Sequence, residues 1–113
     1  MPQVLGKLIA HVRKRAEATQ VDLADAACVS QSKMSRVEAG AAPNVFELTR
    51  IAARLGTTPE ALLRETRRVV AHVDTIVEQV TGHEADWNTN AAAYDGLITF
   101  VLENIRKPKG TSP

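Results

Sequence analysis

Gln31, Ser32, Ser35 and Arg36 fall one helical turn apart, directly after Ser30. A glutamine amide and an arginine guanidinium each present planar, paired hydrogen-bonding groups. Placed on one exposed turn, they suit recognition of a polar edge better than the making or breaking of bonds. The remaining reactive groups do not assemble into a catalytic set. His11, His72 and His83 lack the spacing of a metal site. No CxxC, no Gly-rich phosphate loop and no Ser/His/Asp combination is present. No enzyme, metal or cofactor is therefore expected. The one cysteine, Cys28, excludes an internal disulfide and fits a reducing, cytoplasmic setting. It reads as a small buried turn residue; the alternative, a redox sensor, would need neighbours that lower its pKa.

The polar turn needs elements to hold it. Leu5, Leu8, Ile9, Val12 and Ala16 recur at helical spacing and predict a first helix over residues 4–18. Thr19 with Asp22 forms a capping-box pair for a second helix, whose inner residues are Leu23, Ala24 and Ala27. Ser30 can cap a third helix, with Met34 and Val37 inside and Gly40 at its end. After Pro43, Asn44 and Glu47 repeat the cap pattern for a fourth helix carrying Leu48, Ile51, Ala52 and Leu55. Thr58 and Pro59 open a fifth, whose stripe is Leu62, Leu63, Val69, Val70, Val73, Ile76, Val77 and Val80, with Gly82 as the stop. Residues 83–88 read as a polar connector. A last helix over residues 90–106 carries Tyr94, Leu97, Ile98, Val101 and Ile105 on one face, and Pro108 ends it.

Composition agrees with an all-α fold. Aromatics are only 4% while hydrophobic residues reach 44%, so the core rests on Leu, Ile, Val and Ala. There is no apolar signal core after Met1 and no stretch near the roughly 20 apolar residues of a membrane span, so no membrane association is expected. The net charge of +1 hides an asymmetry. Residues 1–68 hold eleven basic and seven acidic side chains, a balance of +4, and residues 69–113 hold three and six, a balance of −3.

Residues 19–40, TQVDLADAACVSQSKMSRVEAG, resemble the helix-turn-helix of the Cro/Xre family of transcription regulators. The likeness extends over about residues 5–65 through Leu23-Ala24, Val29-Ser30, Val37-Glu38, Gly40 and Leu55-Gly56. It implies a five-helix, phage-repressor-like domain that binds double-stranded DNA, followed here by a C-terminal helical hairpin. Domains are expected at 1–66 (DNA binding), 67–107 (a helical dimerisation region continuous with the fifth helix) and 108–113 (a flexible tail). In such a motif the second helix enters the major groove and its first residues meet base edges. The resemblance thus makes Gln31, Ser32, Ser35 and Arg36 base contacts: Gln pairs with adenine N6 and N7, Arg with guanine O6 and N7. Both are open to a second reading, Gln31 as a solvated first-turn residue and Arg36 as a phosphate contact or surface ion pair. Gln20 and Lys33 become phosphate contacts, and Arg13 and Glu38 become an ion pair joining the first helix to the reading helix. Two positions depart from the family. Cys28 replaces the usual turn glycine, and Ala41-Ala42 stand where relatives often carry a backbone-contacting Lys or Arg.

One such unit reads few base pairs, so a homodimer on a pseudo-palindromic operator is expected. Its interface would be Val69, Val73, Ile76, Val77 and Val80 with Tyr94, Leu97, Ile98, Val101 and Ile105; the alternative is that these helices fold back on their own chain. Trp87 would cover the hairpin's open end or mark a partner patch. The leading functional reading is a repressor or autoregulator. The main alternative is an antitoxin-like protein that autoregulates through the same domain and binds a partner protein with its C-terminal helices. A ligand sensor ranks below both, because the apolar stripes lack convergent polar groups.

Overall fold

The computed structural model describes residues 2–105, without the side chains of Pro2 and Ile105. The expected tail at 108–113 lies outside them, as does the side chain of Ile105. Every element among the described residues is helical: α1 (Pro2–Arg15), α2 (Gln20–Ala27), α3 (Gln31–Glu38), α4 (Val45–Arg54), α5 (Pro59–Thr81), α6 (Trp87–Asn90) and α7 (Asp95–Ile105), with a 3₁₀ turn at Ala92–Tyr94. Packing divides the chain into two compact units between Thr66 and Arg67.

In the first unit the helix starts lie where the side-chain caps dictate. Asp22 N–H donates to Thr19 Oγ1 and Thr19 N–H donates back to Asp22 Oδ2. Asn44 and Glu47 make the same reciprocal pair at α4. Ser30 Oγ accepts the Lys33 N–H at α3. Each such cap is worth about 1 kcal/mol. α1 begins before residue 4 and ends at Arg15, because the chain turns at Glu17, which has φ 59°. Ala16 is consequently exposed and outside the helix, and Ala18 takes a place in the core.

α2 packs against α3 and α4, and α1 against α3. The core of this unit comprises Val4, Leu5, Leu8, Ile9, Leu23, Ala24, Ala27, Met34, Val37, Leu48, Ile51, Ala52 and Leu62. Along α5 the inner stripe runs through Thr66, not Leu63. Thr66 is buried because its hydroxyl donates to the Leu62 carbonyl at 2.8 Å, whereas Leu63 is exposed. A threonine whose hydroxyl is satisfied within its own helix can stand in a core position at little cost.

In the second unit, α7 begins at Asp95, not near residue 90, and is preceded by the 3₁₀ turn and by α6, which starts within the expected connector. Asp86 stands at the start of α6. Its carboxylate caps α6 by accepting the Asn88 and Thr89 N–H groups, and its own N–H donates to the Tyr94 hydroxyl at 2.9 Å. Val69, Val73, Val77, Tyr94, Ile98 and Val101, expected at a dimer interface, are buried within the single chain. They are interior residues of the single chain, together with Leu102, which completes the α7 stripe. The hairpin consumes them because two amphipathic helices must cover their apolar faces before anything is left for a partner. Ile76 and Leu97 are half-buried, and Val80 is exposed.

Candidate nucleic-acid interface

α3 has two faces of opposite character. Met34 and Val37 are buried, while Gln31, Ser32, Ser35 and Arg36 are exposed. Arg36 Nη1 donates to Ser32 Oγ at 3.1 Å, an i, i+4 contact that lays the guanidinium back along the helix toward its N-terminal turn. The structure therefore brings the four predicted reading residues onto one open surface.

The C-terminal end of α3 is tied down by a junction of three helices. Glu38 Oε2 accepts from Arg13 Nε at 2.7 Å, and Oε1 accepts from Arg13 Nη2 at 3.0 Å and from Gln20 Nε2 at 3.0 Å. Arg13 Nη1 also donates to the Ala18 carbonyl at 3.1 Å. The side chains of Arg13 and Glu38 are only 12% and 7% exposed, so this bidentate pair is shielded from water. Gln20 is thus partly committed to the junction: its amide nitrogen reaches Glu38.

The opposite end of α3 is tied to α4. Lys33 Nζ lies 3.0 Å from Glu47 Oε2, with the lysine side chain 40% exposed. Glu47 is held below the usual carboxylate range, first by the Asn44 N–H and then by Lys33. Asp22 is likewise lowered, first by the Thr19 N–H, then by the Thr19 side chain, with a smaller effect of Arg54. Arg54 Nη2 stands 3.7 Å from Asp22 Oδ2.

The turn between α2 and α3 is closed through Cys28, which adopts φ 61°, ψ 41°. The Cys28 N–H donates to Asp25 O and the Val29 N–H to Ala24 O, the Schellman pattern that ends a helix with one left-handed residue. A side chain in this conformation costs about 1 kcal/mol relative to glycine. The backbone geometry also corrects the expectation of burial: Cys28 sits at the bend and is exposed.

Sequence reading overlooked Gly6. A Cβ there would stand 2.4 Å from the Val37 carbonyl oxygen and 2.8 Å from that of Glu38. α1 therefore passes backbone-to-backbone over the end of α3, beside the Arg13–Glu38 pair. An isolated glycine inside a helical pattern was the signal available, since such residues mark close approach. The Lys33–Glu47 and Gln20–Glu38 contacts had no comparable signal.

A helical unit with a capped, tethered helix presenting an open polar face defines a helix-turn-helix module. The chain belongs to the helix-turn-helix domain family, whose pattern matches residues 4–68, more than half of its length. Membership suggests a DNA-binding regulator, and the family is typically not enzymatic. No curated protein and no solved structure shows a significant match to the chain. No helix among the described residues is long and apolar enough to cross a membrane.

Proposed function

We propose that the chain is a sequence-specific transcription regulator that binds double-stranded DNA through α3, acting in the cytoplasm as a dimeric repressor or autoregulator on a pseudo-palindromic operator. The observation that carries this reading is the exposed row Gln31, Ser32, Ser35 and Arg36 on a helix whose other face is buried and whose C-terminal end is clamped by Arg13 and Gln20. Gln31 and Arg36 read bases, with Ser32 and Ser35 beside them; each bidentate contact discriminates by about 1–3 kcal/mol. Lys33, still 40% exposed, exchanges Glu47 for a phosphate, and Gln20 offers its remaining polar atoms to the backbone.

Dimerisation falls to apolar residues left outside the second unit's core. Val80 is 79% exposed and Phe100 55%. The same exposed residues support the antitoxin-like alternative, in which a partner protein covers them; co-purification of a stoichiometric second chain decides for that reading.

The test is fluorescence anisotropy with the DNA upstream of the chain's own gene against a scrambled duplex, at two salt concentrations. Preference for the upstream fragment, lost in Gln31→Ala and Arg36→Ala, is expected. Retention of that preference in both variants overturns the assignment of α3 as the reading helix.

A further inference from the structure

The second unit contains a cavity of about 480 Å³, within the usual range for small-molecule sites. Ile76 and Val80 of α5 and Leu97 of α7 supply apolar wall, with Tyr94 at its side and Glu84 and Asn90 among the polar groups lining it. A further recess of about 260 Å³ is lined by Asp74, Glu78, Glu84 and Trp87. Glu84 borders both spaces. The two aromatic rings are in contact, Trp87 and Tyr94 meeting in a T-shaped arrangement at 4.9 Å between centroids and 78° between planes. Trp87 is fixed further by donating its indole N–H to Asp74 Oδ1 at 2.7 Å.

Charge specifies what such a space can hold. From Val69 to Ile105 the sequence has six carboxylates, no Lys or Arg, and two histidines, of which His83 lines the larger space. Among the described residues no ion pair involves Asp74, Glu78 or Glu84, so their field is not cancelled locally. An apolar pocket opening onto uncompensated carboxylates and aromatic rings disfavours anions and rewards a positive charge attached to a hydrophobic body.

We propose that these adjoining spaces bind a small organic cation, its apolar part among Ile76, Val80 and Leu97 and its charged centre at Glu84. Asp74 and Glu78 raise the local concentration of the cation through their field, and the Trp87–Tyr94 pair forms a fixed wall beside the charge. Binding of this kind needs neither DNA nor the reading residues of α3, so it is tested separately from DNA recognition; Val80 is shared with the proposed dimer surface.

The probe is tetraphenylphosphonium, with tetraphenylborate as an anion of the same shape. The full chain is titrated by calorimetry and by the fluorescence of Trp87, the only tryptophan. Saturable binding of one phosphonium per chain is expected, with the borate at least about tenfold weaker. Glu84→Gln should weaken the phosphonium about tenfold at unchanged helicity, and Ala93→Phe, an exposed position lining the larger space, should block it by filling the volume. Equal binding of the two ions overturns the site, as does an unaffected Glu84→Gln variant. Failure of the phosphonium to bind at millimolar concentration also overturns it, whether the space is empty or sealed by another chain.

Discussion

Glu38 and Arg13 are joined by two parallel hydrogen bonds, 2.7 and 3.0 Å long, that link the last residue of α3 to the last turn of α1. The bonds run between side chains that water scarcely reaches. Arg13→Ala strands the Glu38 carboxylate with Gln20 as its one remaining donor, and is expected to cost about 3 kcal/mol of stability. Glu38→Ala costs less, since Arg13 keeps the Ala18 carbonyl. The double variant should be more stable than Arg13→Ala alone. Urea unfolding followed by circular dichroism measures all three, and small, additive effects would show that the pair contributes little.

The contact of Gly6 with the end of α3 has its own consequence. Alanine at this position would press its methyl group into the Val37 and Glu38 carbonyls, both backbone atoms that cannot swing aside. Gly6→Ala is expected to lose about 1–3 kcal/mol despite alanine's better helix propensity. It should also weaken DNA binding more than its stability loss explains, because α3 must shift. A control at Gly96, a helical glycine with open space around its Cβ direction, should be neutral or stabilising. If both variants behave alike in thermal unfolding, the close approach has no energetic weight.

Lys33 is shared between Glu47 and the open side of α3. If it gives up the carboxylate for a phosphate on DNA, Lys33→Ala lowers the slope of log affinity against log salt by about one per chain. The loss should be the same for operator and scrambled DNA. Anisotropy titrations across a salt series read the slope directly, and an unchanged slope removes Lys33 from the interface.

Acid should loosen the first unit through its caps. Asp22 and Glu47 both have lowered pKa values in the folded chain, so the native state binds fewer protons than the unfolded one. The stability they contribute is complete above the unfolded carboxylate range and is lost as pH falls through the lower, folded values. The cap of α3, Ser30, does not titrate in this range. Stability should therefore fall below about pH 5, and Asp22→Asn with Glu47→Gln should flatten that dependence. Urea midpoints measured from neutral to acid pH decide it; an equal slope in the double variant would assign the acid loss elsewhere.

Much of the first unit was legible because its signals are local. Thr19–Asp22, Ser30 and Asn44–Glu47 announce helix starts within four residues of chain, and the structure has helices beginning there. The exposed polar face of α3 followed from the same register. What was hidden depends on distance in sequence: Gly6 meets Val37, Gln20 meets Glu38, and Lys33 meets Glu47, and no spacing rule encodes those meetings. In the second unit the apolar stripes were visible, but their partner was not. Periodicity says that Val73 and Ile98 are covered, and only packing says that the same chain covers them. The meeting of the Asp86 N–H with the Tyr94 hydroxyl, eight residues apart, escaped for the same reason.

The absence of Lys and Arg between Arg68 and Ile105 also determines how the molecule can be dissected. Trypsin finds no cleavable bond across this stretch whether it is folded or open, so digestion maps the first unit and is blind to residues 69–105. Amine-directed cross-linkers are blind there for the same reason. A glutamate-specific protease has Glu78, Glu84 and Glu103 to cut and is the reagent that reports opening of the hairpin.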